Sequence, residues 1–183
     1  MRSHYEITGR RFYLAAALVC GLATCGDASA QERPCPPGSL EDLASRSYPE
    51  LEQLYRAAPA GTIPCGYTCG RAIYCLDKPL SGVRSKFTRL IWHGKEFHDD
   101  GTLVNQWSGF KAIRARVCYG QGWLDGGPAI IMDYSGTSFV WRDVRDELRE
   151  VAPGLYLGAM YRRRAAGPKF VTYFALEAQP GRH

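Results

Sequence analysis

The apolar residues of this chain fall into three successive patterns. Phe12 to Leu22 form one nearly unbroken apolar run behind Arg10 and Arg11. Leu40, Leu43, Leu51, Leu54 and Tyr55 then recur at spacings of one helical face, interrupted at Tyr48-Pro49. Pro49 suits the opening of a second helix, where its missing N–H leaves no bond unmade, and the Ala57-Ala58-Pro59-Ala60-Gly61 run ends it. From Gly70 onward the pattern changes to short runs separated by glycine turns, which predicts strands over 70–76, 85–93, 102–107, 110–119, 128–134, 155–163 and 169–177, with a short one possible at 137–141. Asp99-Asp100-Gly101, Gly120-Gln121-Gly122, Asp125-Gly126-Gly127 and Ala166-Gly167-Pro168 separate them. Asp-Gly pairs supply the positive φ of tight hairpins. No long helical pattern intervenes, so antiparallel pairing is expected. One helical turn is predicted over Arg142 to Val151, where charges alternate in sign and Val144, Leu148 and Val151 share an edge.

The last two strands are the most informative. In Leu155 to Arg162 and in Phe170 to Leu176, both alternating faces are largely apolar. A sheet solvated on one side alternates cleanly, so each face here must be covered. A small closed barrel of seven or eight strands with a helix packed outside meets that demand; a two-sheet sandwich is the alternative. The chain thus divides into a leader over 1–30, a Pro-rich linker over 31–39, a helical segment over 40–60, a barrel domain over 61–178 and a tail over 179–183.

The leader alters this picture first. A basic stretch, an apolar run too short to span a bilayer and the small-residue close Ala28-Ser29-Ala30 have the layout of a cleaved secretory signal. Two other features keep alternatives open. Arg10-Arg11-Phe12 bears on a twin-arginine route, and Leu22-Ala23-Thr24-Cys25 resembles a lipoprotein box, although Thr24 is unsuited to the position before a lipidated Cys. Cleavage after Ala30 leaves 153 of the 183 residues, one domain's worth, with no further run of membrane length. The whole chain carries a net charge of +5, too dispersed to imply nucleic acid. The expected location is the periplasm or the exterior, or the envelope if Cys25 is lipidated.

Cysteine usage fits an oxidising compartment. Cys65, Cys69 and Cys75 crowd together, and their spacing matches no common zinc finger, so they are disulfide candidates rather than metal ligands. Five cysteines remain after the leader, so at least one thiol stays free.

Few residues carry candidate chemistry. Asp133 closes an apolar strand and is either a buried acid or an acceptor for the Ser135-Gly136 turn. With His93 it is the weak catalytic pair of a small hydrolase or isomerase. Ser135 lacks the glycines of a nucleophile elbow, and neither a P-loop nor a dinucleotide-binding glycine signature is present. Arg114 and Arg116 share one face of a strand, opposite Ile113, Ala115 and Val117. They are either lumenal anchors for an acidic head group or surface charges. Trp92, Tyr134, Tyr156 and Tyr161 suit a ligand-lined cavity, and suit a filled core equally.

Several segments resemble a family of uncharacterised exported bacterial proteins with a lipocalin-like barrel. They are Pro64-Cys65-Gly66, Trp92-His93-Gly94-Lys95-Glu96-Phe97, Leu124-Asp125-Gly126-Gly127, Ile131-Met132-Asp133-Tyr134-Ser135, Arg142 to Arg149 and Pro153-Gly154-Leu155-Tyr156-Leu157-Gly158. The resemblance implies the calycin-type barrel, and no activity. The resulting expectation is a mainly β, antiparallel, lipocalin-like protein that binds a small, mostly apolar molecule, with an anionic head group as the variant, and needs no cofactor. A non-catalytic envelope accessory protein with a protein partner ranks second, and an enzyme third.

Overall fold

A computed structural model describes residues 39–73 and 92–179. The leader, most of the linker, Cys35, Cys75 and the greater part of the strand expected over 85–93 lie outside the described residues.

Eight strands form a closed antiparallel barrel in simple sequence order, with β1 pairing both β2 and β8. They are β1 (Gly66–Ile73), β2 (Trp92–His98), β3 (Thr102–Trp107), β4 (Phe110–Gln121), β5 (Pro128–Asp133), β6 (Val144–Ala152), β7 (Leu155–Arg164) and β8 (Gly167–Ala178). Among the described residues two helices precede them, α1 (Ser39–Ala44) and α2 (Tyr48–Ala57). Ser47 caps α2, its N–H and hydroxyl both donating to Glu50, with Pro49 in the first turn.

Closure explains the doubly apolar strands. Inside, Trp92, Phe97, Leu103, Ala115, Val117, Ile130, Met132, Val144, Leu148, Tyr156, Phe174 and Leu176 fill the lumen. Outside, Leu40, Leu43, Leu51 and Tyr55 of the helices cover Cys69, Ile73, Leu157, Ala159, Tyr161, Tyr173 and Ala175. The two faces of β7 and β8 therefore serve two cores, one within the cylinder and one beneath the helices.

One expected element is corrected. Residues over 144–152 form β6, where the charge pattern predicts a helical turn. Val144 and Leu148 lie four apart, a spacing that satisfies both a helical edge and one face of a strand. Both point into the lumen, while Arg145, Glu147 and Arg149 point out beneath α2 and its flanking turn. Of the charges that read as a solvated helix, Asp146, Glu147 and Arg149 are buried. The short strand possible at 137–141 is instead a loop between β5 and β6.

The two ends of the barrel differ. At one end the chain between α2 and β1 runs across the opening. Tyr156 Oη donates to the Thr62 carbonyl at 2.8 Å, Tyr119 Oη to the Gly61 carbonyl at 3.1 Å, and Ala60 and Ile63 pack on the lumenal core. Gly61 has φ +74°, and a Cβ there would lie 2.3 Å from Glu150, so glycine is required at this crossing. Among the described residues, the opposite end carries the β3–β4 turn, the β5–β6 loop over 134–143 and the β7–β8 turn.

Lumenal packing leaves no room at Gly158, where a Cβ would fall 2.2 Å from the Phe174 ring. Gly158→Ala is expected to lower the unfolding free energy by about 1–3 kcal/mol through overpacking. Denaturant titration measures it, and adding Phe174→Leu should return part of the loss.

Candidate functional site

Among the described residues, the barrel interior holds one cluster of buried charge. Lys95 of β2, Asn105 of β3, Tyr134 just after β5 and Asp146 of β6 meet in the lumen, with Lys95 2% and Asp146 4% exposed. Lys95 Nζ donates to Asn105 Oδ1 at 2.9 Å, Tyr134 Oη at 2.8 Å and Asp146 Oδ2 at 3.0 Å, which uses all three of its protons. Tyr134 Oη in turn donates to Asp146 Oδ2 at 3.0 Å. Trp92 Nε1 donates to Asn105 Oδ1 at 3.2 Å. The ammonium also lies 5.3–5.6 Å from the ring centroids of Trp92, Tyr134 and Phe174, within cation–π reach.

Two backbone irregularities build this arrangement. A bulge in the β3–β4 pairing falls beside Asn105, and Ile113 opposite adopts φ +65°, an outlying conformation for a β-branched residue. The distortion presents the Ile113 carbonyl to Asn105 Nδ2 at 2.9 Å. A second bulge between Trp92 and Gly94 lets Trp92 and Lys95 both face inward although they lie three residues apart.

The network is satisfied at every atom but one. Asp146 Oδ2 accepts two hydrogen bonds, whereas Asp146 Oδ1 is buried without a hydrogen-bond partner among the described residues. A buried carboxylate oxygen with no donor is costly and marks a place where a donor belongs. Burial pushes the Lys95 ammonium below its ordinary value against the upward pull of Asp146. Burial first, and Asp146 second, push the Tyr134 phenol well above its ordinary range. Trp107 and Trp141, edge to face at 6.4 Å, pack on the lumenal core, and Trp141 also lies 6.0 Å from Tyr134.

A second charged cluster occupies the outer face of β6. Arg149, 2% exposed, donates to the Tyr55 carbonyl at 3.0 Å and forms a forked pair with Asp125 at 2.9 and 2.5 Å, so it ties the end of α2 to the β4–β5 turn. Glu147 accepts the Trp123 N–H at 3.0 Å and pairs with Arg145 Nε at 3.0 Å; burial raises its carboxyl all the same. Its groups serve one another and the backbone, which is an architectural role. An open groove of about 660 Å³ lies outside the barrel beside α2, lined by Tyr48, Glu52, Arg56, Leu124, Phe170 and Tyr173.

The residues singled out in the sequence scatter across these features. Trp92, Tyr134 and Tyr156 face the lumen. Tyr161 lies outside it, under the helices and against Trp123. Arg114 and Arg116 are exposed on the outer face of β4, so they are not lumenal anchors; Ala115 and Val117 take the inward positions. Asp133 also faces outward. Burial would raise its carboxyl, but the Ser135 N–H at 2.8 Å and Arg163 at 2.9 Å outweigh that and hold it below the usual range. His93 is on β2 with Nε2 2.9 Å from Ser108 Oγ, three strands from Asp133 along the sheet, and the two are not brought together. Cys65 is an exposed free thiol, 3.5 Å from Asp99, which removes it from the disulfide candidates; Cys118 is free as well. Cys69 is buried beneath the helices. Among the described residues, no three His, Cys, Asp or Glu side chains are grouped to hold a metal, and no helix is long and apolar enough to cross a membrane.

Lys95, Asn105 and Asp146 were not among the candidates. Lys95 shares its strand face with Phe97, and that one charge on an apolar face was the available signal.

No known protein family matches this sequence, and no curated protein matches it either. A solved structure described as "Crystal structure of protein from Thermomonospora curvata" is similar over 73% of this chain and 88% of its own, with 19% identity and a TM-score of 0.48.

Lys95→Met is expected to cost about 3–5 kcal/mol, because it leaves Asp146 buried without its cation, and Lys95→Met with Asp146→Leu is expected to recover most of the loss. The wild type should also respond to alkali in a way the single variant does not. The folded chain releases the Lys95 proton below the ordinary value of 10.5, so the unfolded chain holds more protons between the two values. Stability relative to Lys95→Met therefore rises with pH across that window. Unfolding midpoints of both proteins from pH 7 to 10 measure the difference.

Proposed function

We propose that this protein is an exported, non-enzymatic barrel that binds a small molecule at the lumenal end crowned by Trp107 and Trp141. The unpartnered Asp146 Oδ1 carries this reading. The lumenal charges, one ammonium and one carboxylate, balance, and the atom left over is an acceptor. It calls for a hydroxyl or ammonium donor rather than the anionic head group that Arg114 and Arg116 suggested in the sequence. The ligand is small and otherwise apolar, since Phe97, Leu103, Met132, Leu148 and Leu176 already fill the lumen beneath the cluster. Approach is from the end with the β5–β6 loop, because the residues before β1 cross the other end. The strained Ile113 supports a binding role, since backbone strain is retained where a site requires it. Export rests on the leader, and a bridge through Cys69 would fit the same oxidising compartment.

Native mass spectrometry of the protein recovered from its own host tests the proposal. The expected result is a stoichiometric small-molecule adduct that is lost in Asp146→Asn, which presents a donor amide to the ligand's donor, while a cooperative unfolding transition persists. A wild-type protein without an adduct that retains full stability would overturn the reading, and a stoichiometric protein partner in its place would favour the accessory role.

A further inference from the structure

The β5–β6 loop ends in an apolar tip that the fold leaves uncovered. Phe139 is 86% and Val140 77% exposed, among the few large apolar side chains at the surface of the described residues. The flanks of the loop are basic. On one side the Thr137 hydroxyl binds the Arg114 carbonyl and Gly136 approaches the Arg116 guanidinium. On the other, Asp143 accepts from Arg162 at 2.9 Å and from Arg164 at 2.9 Å, and its carbonyl accepts the Arg163 N–H at 2.7 Å. Arg142 itself lies over the Phe139 ring at 5.4 Å. Among the described residues, Arg116, Arg142, Arg162 and Arg164 thus border the loop, against one carboxylate, Asp143, that Arg162 and Arg164 already engage, while Asp133 is held by Arg163.

We propose that this end of the barrel docks on an anionic lipid surface, with Phe139 and Val140 entering the interface and the arginines meeting the head groups. Charge complementarity selects the occupant. A phosphate-rich surface matches the net positive ring, and a convex apolar tip needs only a fluid apolar layer, with no shaped partner pocket. An acidic protein or nucleic acid would engage the arginines but leave the two apolar side chains in water. The inference rests on the barrel's exterior and is independent of the lumenal ligand.

The test uses the full chain expressed with its own leader and recovered in the form the cell leaves it. Vesicles of phosphatidylcholine with a quarter phosphatidylglycerol are compared with pure phosphatidylcholine by co-sedimentation, at low salt and at high salt. Binding is expected to the anionic vesicles only and to be released by salt. Phe139→Ser with Val140→Ser should weaken it on the order of tenfold or more, the partition lost with the buried apolar area. Arg142→Gln with Arg164→Gln should weaken it about 25-fold, at about fivefold for each charge. These side chains are exposed or border solvent, and an unchanged melting temperature confirms that the variants fold. Equal binding to neutral vesicles, no binding at all, or undiminished binding by the Phe139/Val140 variant overturns the proposal. Retention on heparin that survives the serine substitutions, without vesicle binding, assigns the basic ring to a soluble polyanion instead.

Discussion

Pairing of β1 with β8 turns a twisted sheet into a cylinder, and every other feature follows from the side-chain alternation that closure imposes. Each strand must send alternate residues into a space only wide enough for side chains, and the others outward. On β6 this places Val144, Asp146 and Leu148 inside and Arg145, Glu147 and Arg149 outside, and most of these side chains are buried. Two charged clusters consequently lie back to back across a single strand. The outer one joins α2 and the β4–β5 turn to the barrel wall through Arg149. The inner one ties β2, β3, β5 and β6 together across the lumen.

The inner cluster is poorly explained by stability alone. Removing an ammonium and a carboxylate from water costs several kcal/mol per ion, and the mutual attraction regains this only where every remaining polar atom is satisfied. Here one carboxylate oxygen is not, and a β-branched residue is held at positive φ nearby so that its carbonyl can complete the Asn105 bonds. An apolar filling of the same volume would avoid both costs. The balance of these terms is the physical support for the proposed binding role.

How much of this was legible in the sequence depends on which period a residue obeys and how far away its partner lies. β3, β4, β5, β7 and β8, flanked by Asp-Gly and Gly-Pro turns, were readable because turn chemistry is local, and the doubly apolar β7 and β8 announced two covering layers, whereas β2 was expected over 85–93 and lies at Trp92–His98. β6 was misread because Val144 and Leu148 fit both a helical and an extended period, and because burial of charges is invisible without the helix that covers them. Outward placement of Arg114 and Arg116 was one of the two options the alternation allowed. The lumenal cluster left only a faint mark, Lys95 on the face of Phe97. Its partner Asp146 stands 51 residues away in a segment that looked solvated, and the bulges that aim Trp92 and Asn105 inward have no sequence signature of their own.

The barrel is asymmetric along its axis, and this asymmetry connects the two proposed activities. At one end Tyr119, Tyr156 and Glu150 hold the 58–65 connection across the opening, Glu150 through the Thr62 N–H, so that end is spent on closure. At the other, the unsatisfied carboxylate, the Trp107–Trp141 pair, the apolar tip and the arginine ring are gathered on or beneath the connections between strands. Loops can carry such groups because the ladder beneath holds their ends fixed while leaving their tips free to diverge. A ligand donor that reaches Asp146 must pass the same loop that carries Phe139. A bilayer surface that receives Phe139 would therefore face the same end of the barrel as the lumenal cluster.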